Sequence, residues 1–259
     1  MQPLIDGDIL LYEIGYAAET GWQIEGTPPF DYAGKLLDNR IDNICGVVGA
    51  TAPPLLYLTG KTNFRNEIAK KKKYKDRPSH KPFHYYNLKA YIQGKYDYRI
   101  AEGLEADDLM AIEQTARPDE TIICTRDKDL RQVPGWHFGW EMGNQPQFGP
   151  ELVTNVGYLK LSKDRKKVSG TGMLFFYCQM LTGDVVDSVP GLPSYGPVKA
   201  FDLLSTCTDL SQALKTVYRA YKDTYGLTAY KEMIEQGRLL YMVRKLREDG
   251  SPIIWGQSQ

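Results

Sequence analysis

"YDYRIAEGLEADDLMAI", residues 96–112, joins two patterns in one stretch. Residues 96–102 read as a short strand, and a helix follows from about 104 to 116. On that helix Glu105 and Asp108 are three apart and share a face. With Asp107, three carboxylates fall in four positions at the start of an apolar run. Two unit charges ~4 Å apart repel by roughly 4 kcal/mol at an effective dielectric of about 20, so something must separate or neutralise them.

The same strand-then-helix reading recurs on either side. "PLID" (3–6) is a short buried strand with helix-compatible "ILLYEIGYAAE" after it. "FDYAGKLLDNRIDNICGVVGA" (30–50) has apolar spacing near 3.6 and predicts a helix. "PPLLYLTG" (53–60) and "ETIICTRD" (120–127) are further strands. This alternation predicts an α/β fold, a mainly parallel sheet with helices on both faces. Ligands of such sheets gather outside the carboxyl ends of the strands. Asp6, Thr59, Glu105 and Asp127 all fall at or just after predicted strand ends. Beyond about residue 165 the pattern turns helical (172–183, 196–205, 210–226 and 228–246), which predicts a smaller helical lobe.

Composition narrows the function classes. The chain has 259 residues, with 32 basic and 32 acidic side chains in balance. The balance is not local: residues 61–95 hold eleven Lys or Arg against Glu67 and Asp76, leaving a net −9 elsewhere. A cationic surface beside an acidic body is the expectation. Four scattered cysteines show no metal-finger spacing and read as reduced thiols of a cytoplasmic protein. No run approaches the ~20 apolar residues of a membrane span, and the N-terminus carries no signal-peptide pattern.

Four acidic clusters stand out: Asp6 and Asp8; Glu105, Asp107 and Asp108; Asp127 and Asp129; Asp184 and Asp187. Any one of them reads equally well as a helix cap or turn. Four clusters flanked by apolar residues point instead to pooled acids that need cations. Oxygen-only donors suit Mg²⁺ first and Mn²⁺ second, and sparse His and Cys argue against zinc. Two such ions ~3.5–4 Å apart clamp an in-line phosphoryl displacement. With a basic tract to hold a polyanion, the residues predict phosphodiester hydrolysis.

"LIDGDILLY", "EADDLMAI", "TRDKDLRQ" and "LTGDVVDSVPGLPSYGPVKA" resemble, in that order, the motifs of the 5′ nuclease superfamily. The likeness is strongest to the small 5′→3′ exonucleases of short-tailed phages, and "YLTGKTNFRNEI" and "EQGRLLYMVRKLREDGSPIIW" extend it over nearly the whole chain. The resemblance implies a PIN-like nuclease domain over 1–168 with a basic helical arch at about 61–95. A helical DNA-binding lobe with a helix–three-turn–helix element would follow over 169–259. It implies a monomeric enzyme acting on double-stranded DNA with a 5′ end or flap, in the cytoplasm of the host cell if phage-encoded. The eight acids Asp6, Glu105, Asp107, Asp108, Asp127, Asp129, Asp184 and Asp187 match its metal-site positions, for two Mg²⁺ ions. Lys75 and Arg77 match the arch signature that contacts the scissile phosphate, and Arg65 a second phosphate contact. Gly191, Gly196 and Lys199 fall in the hairpin that tracks a DNA phosphate, often with K⁺.

Two departures accompany the resemblance. The family's acid after the second strand is replaced by Thr59-Gly60-Lys61, and Arg77 follows Lys75 by two residues rather than three. "KKKKYKDRPSHKPFHYY" (70–86) reads either as a solvated loop or as DNA-contacting Lys70, Lys71, Lys72 and Lys73. Tyr74 there is placed to stack on unpaired bases. Two rival readings remain at this point. "LIDGDILL" also fits a haloacid-dehalogenase phosphatase with Asp6 as nucleophile, although "EADD" has no place there. The absent acid at 59–61 suits a catalytically impaired DNA-binding relative.

Overall fold

Leu4, Ile5, Leu56, Leu58, Ile122 and Ile123 have no solvent exposure. Such runs, apolar on both faces, belong to strands covered by helices on each side. A computed structural model of the chain describes residues 1–76 and 80–257. In chain order its elements are β1 (Gln2–Asp6), α1 (Gly7–Gly21), α2 (Phe30–Val47), β2 (Leu55–Asn63), a single turn α3 (Arg65–Ile68), α4 (Tyr85–Lys95), β3 (Asp97–Gly103), α5 (Ala106–Ala116), β4 (Thr121–Cys124), β5 (Gly135–Gly139), β6 (Phe148–Val153), β7 (Tyr158–Leu161), β8 (Val168–Thr171), α6 (Gly172–Thr182), α7 (Pro197–Leu204), α8 (Leu210–Tyr225) and α9 (Ala229–Leu240).

Six strands form one sheet in the order β3-β2-β1-β4-β5-β6. Its centre is parallel: Leu4 of β1 lies opposite Leu55 of β2 and Ile123 of β4, and Ile123 lies opposite His137 of β5. The expected α/β architecture is therefore present. No helix among the described residues is long and apolar enough to cross a membrane.

The chain divides into two units. Of the described chain, unit 1 comprises 1–62, 80–128 and 135–152, and holds the sheet. Its core joins Ile5, Leu10, Leu37, Ile41, Leu88 and Trp140. Unit 2 comprises 63–77, 129–134 and 153–257 of the described chain. Its core is built on α6, where Phe176, Met180 and Leu181 are fully buried, with Val217 and Tyr221 of α8.

This division is not the linear split expected near residue 168. Unit 2 begins at 153 and recruits two distant segments, because their side chains are buried among its helices. Tyr74 joins its core, and Gln132 donates to the carbonyl of Leu240 (2.9 Å). The charged run "KLSKDRKK", read from sequence as a surface cluster, spans the turn of the antiparallel β7–β8 hairpin. The last helix stops at Leu240 rather than 246. There Tyr241 turns extended, and Gln132 captures the amide of Met242 (3.0 Å).

Candidate active site

In unit 1, hydrogen bonds tie the end of β1, the middle of β2 and the segment after β4 to the starts of α1 and α5. Asp6 closes β1 and caps α1: one carboxylate oxygen accepts from the amide of Ile9 (3.0 Å), the other from the hydroxyl of Thr125 beyond β4 (2.8 Å). That hydroxyl in turn accepts from the amide of Asp127 (2.9 Å). Asp8, in the first turn of α1, accepts from the amide of Thr59 in β2 (2.9 Å). The Thr59 hydroxyl accepts from the amide of Ala106, the first residue of α5 (3.1 Å). Its carbonyl accepts from the ammonium of Lys89 in α4 (3.1 Å).

The approach of α1 to β2 depends on Gly7, where an added Cβ would lie 2.7 Å from the carbonyl oxygen of Tyr57. The acids "EADD" are arranged by the start of α5. Asp108 turns back to accept from the amide of Glu105 (3.1 Å), the N3 half of a capping box. Asp6, Glu105 and Asp108 are 3%, 6% and 0% exposed. Asp8, Asp107 and Asp127 are half-buried. The N-termini of α1 and α5, the positive ends of their dipoles, thus each carry carboxylates at the cap and in the first turn.

Unit 2 gathers the other acids separately. Asp129, buried, accepts from the side-chain amide of Gln179 in α6 (2.5 Å). Asp184 accepts from the amide of Val186 (2.8 Å) and opens a loop closed by its own pairing with Val189. Asp187 accepts from the hydroxyl of Tyr74 (3.1 Å), and its carbonyl accepts from the amide of Lys75 (3.2 Å). The Lys75 ammonium stands 3.9 Å from the same carboxylate. Gly183 and Gly191 both have positive φ (74° and 68°), and a Cβ on Gly191 would collide with the backbone of Gly183. Gly191 therefore closes this loop, while Gly196 caps α7 and exposed Lys199 lies over the ring of Tyr195 (3.5 Å).

Several sequence-based expectations change here. Arg65, expected on a phosphate, is fully buried, and donates to the carbonyls of Leu239 (3.0 Å) and Tyr241 (2.8 Å). Tyr74, expected to stack on bases, is 4% exposed with its hydroxyl on Asp187, so it offers no face to a base. Lys71 forms an ion pair with Glu232 of α9 (2.5 Å) and Lys73 with Asp76 (3.6 Å). Lys70 and Lys72 are exposed. Arg77 lies outside the described residues.

Three groups escaped the sequence reading: Thr125, Lys89 and Gln179. Only Gln179 left a signal, as the one amide in the apolar run "GMLFFYCQML".

All these donors are oxygens, the chemistry a hard divalent cation requires. Among the described residues, however, no group of three or more His, Cys, Asp or Glu forms a set that could hold a metal ion. Asp6, Asp108 and Asp184 each accept hydrogen bonds at the caps and turns just described.

No protein-family profile matches the chain. It is 28% identical over 168 residues to flap endonuclease Xni of Shewanella halifaxensis, covering 62% of this chain and 61% of that one. It is 32% identical over 150 residues to DNA polymerase I of Rhizobium leguminosarum, covering 55% of this chain but 14% of the polymerase. The matched stretch therefore spans less than two thirds of these relatives. Among solved structures, phage T5 5′-exonuclease with bound zinc superposes with a TM-score of 0.59 at 13% identity, over 92% of this chain and 88% of that one. The T5 D15 flap endonuclease in complex with DNA and metal ions gives 0.52 at 12% identity, over 92% and 98%. The chain thus shares the fold of the phage 5′-exonuclease and is similar in sequence, over part of its length, to flap endonucleases.

Proposed function

We propose that the chain is a divalent-metal-dependent 5′ nuclease that hydrolyses phosphodiester bonds of DNA, working 5′→3′ from an end or a flap. One observation carries this reading. Asp6 and Asp8 at the start of α1 and Glu105 and Asp108 at the start of α5 are buried or half-buried, and Thr59 joins the two helix starts by donating its amide to Asp8 and accepting from the amide of Ala106. The relatives named above, flap endonucleases and 5′-exonucleases, support it. In this reading Asp6, Asp8, Glu105, Asp107, Asp108 and Asp127 hold a cation in unit 1, and Asp129, Asp184 and Asp187 supply the acids of unit 2. A bound divalent ion supplies a water of lowered pKa and charge neutralisation at the scissile phosphate.

The chain's own groups position the substrate. Thr125 fixes one oxygen of Asp6, and Gln179 fixes one of Asp129. Lys75, held beside Asp187, offers a cation to a phosphate, as does Arg77. Lys70 and Lys72 offer diffuse attraction to the backbone. Gly191, Gly196 and Lys199 shape the turn that follows a duplex phosphate. Mg²⁺ is the first cation to test, Mn²⁺ the second, with K⁺ at the turn.

Incubation with 5′-labelled duplex DNA and Mg²⁺ tests the proposal. Release of short labelled products is expected. Asp108→Asn should abolish release while leaving DNA binding in EDTA intact, because the amide keeps an oxygen for the cap and loses the charge. A folded protein that binds DNA but cleaves none in Mg²⁺ or Mn²⁺ overturns it.

A further inference from the structure

Unit 2 carries a groove of about 550 Å³ that none of the acids above lines. One wall is α9, where Tyr230, Ile234 and Arg238 recur every four residues and so form one row along the helix. Lys231 flanks that row. The other wall is Glu67, Ile68 and Lys70 at and after the single turn α3. Tyr230 is 60% exposed, so its ring is offered to solvent.

The charges sort themselves. Glu235 lines the groove, but one of its oxygens accepts from the amides of both Lys70 and Lys71 (2.9 Å each). It is occupied in holding the wall. Three cations, Lys70, Lys231 and Arg238, then face two carboxylates, Glu67 and Glu235, for a net charge of one positive. Arg238 is steadied by its Nε donating to the carbonyl of Trp255 (3.2 Å). An open aromatic ring on an aliphatic floor, rimmed by excess positive charge, is the combination that holds a base by its face and a backbone by its phosphates.

We propose that this groove binds an unpaired nucleotide segment of DNA, with a base stacked on Tyr230 between Ile68 and Ile234 and phosphates on Lys70, Lys231 and Arg238. The volume lies within the ~300–1,000 Å³ of small-ligand clefts and accommodates a nucleotide. The choice of DNA as the polymer rests on the nuclease reading above. The groove itself rests on its own residues.

Fluorescence anisotropy with labelled oligothymidylate in EDTA tests it without any cleavage. Tyr230→Ala should weaken binding roughly fivefold to a hundredfold, the range of one base–aromatic stack. Tyr230→Phe should bind as the parent does. Lys231→Ala should reduce the slope of log affinity against log salt by about 0.7. An oligonucleotide carrying 5-iododeoxyuridine should crosslink to the peptide that contains Tyr230.

Unchanged affinity in Tyr230→Ala, or a crosslink that maps elsewhere, overturns the proposal. So does displacement of the oligonucleotide by polyglutamate at equal charge concentration, which marks a surface for any polyanion. Crosslinking at Tyr230 by a protein that cleaves no DNA leaves the groove standing and removes the nuclease reading. Normal cleavage with an unaffected Tyr230→Ala does the reverse.

Discussion

Arg65 offers the sharpest test, because sequence and structure give it opposite roles. Its motif, "NFR", suggests a hand extended to a phosphate. In the structure it has no exposed surface and bridges the carbonyls of Leu239 and Tyr241, where α9 ends. Each hydrogen bond from a charged donor is worth about 1.5–3 kcal/mol, and removing the donor leaves two buried carbonyls unsatisfied. Two such bonds lost together cost about 3–6 kcal/mol. For a chain of this size each kcal/mol shifts the melting temperature by about 2–4 °C, so Arg65→Ala should melt roughly 10 °C lower.

Calorimetry reads the shift, and hydrogen–deuterium exchange locates it. Protection should fall first at 237–243. Arg65→Lys should fall between, because a point charge cannot fork to two carbonyls. Oligonucleotide binding in EDTA should be unchanged in whatever fraction remains folded. An unchanged melting temperature with lost DNA affinity would refute the clamp and restore the phosphate contact.

Other perturbations probe other parts of the chain. Tyr74→Phe removes only the hydroxyl that reaches Asp187 and should cost about 1–3 kcal/mol, read as a lower urea midpoint at unchanged slope; an unmoved midpoint contradicts it. Burial pushes the Asp38 carboxyl up, but hydrogen bonds from Lys95, Tyr96 and Tyr91 outweigh it and hold the group below its usual value. Its stabilisation is therefore complete above the unfolded value near ~3.9 and fades as pH falls through the lower folded value. Asp38→Asn should accordingly destabilise at neutral pH and lose its effect in acid, as pH-dependent melting will show. Burial pushes the Cys178 thiol up to about 12 and Cys124 well above its ordinary value. Neither should alkylate in the native protein at pH 8, and mass spectrometry finding equal labelling of Cys178 and half-buried Cys207 would contradict this.

The central strands were legible because burial on both faces writes a continuous apolar run. The acids at their ends were legible because the rim of a parallel sheet follows from strand direction alone. The basic segment was not. Its charges say nothing about whether Lys71 meets a phosphate or Glu232, and that choice is made by α9, far along the chain. Tyr74 likewise looks like a stacking ring until the loop of Asp187 arrives over it. β7 and β8 were missed because a four-residue strand beside a charged turn has too little pattern to register. The Thr59 substitution was visible as a missing acid, but its use was not. The hydroxyl serves as acceptor for the first amide of α5.

The acids of unit 1 do two jobs, and the energetics separate them. As caps, Asp6 and Asp108 satisfy amides at the starts of α1 and α5. Asn or Ser at an N-cap supplies nearly the same acceptor with no charge to desolvate, and burying an ionised group costs far more than a cap returns. Capping explains an oxygen at position 6; it does not explain a carboxylate at 3% exposure, nor the acids at 105 and 108 at 6% and 0%. The helix N-termini offset part of the charge, at ~0.3–1 kcal/mol each, which is small against the penalty. The negative charge at these helix starts is thus a cost that capping alone does not explain, and under the nuclease reading proposed above a divalent cation is what would offset it.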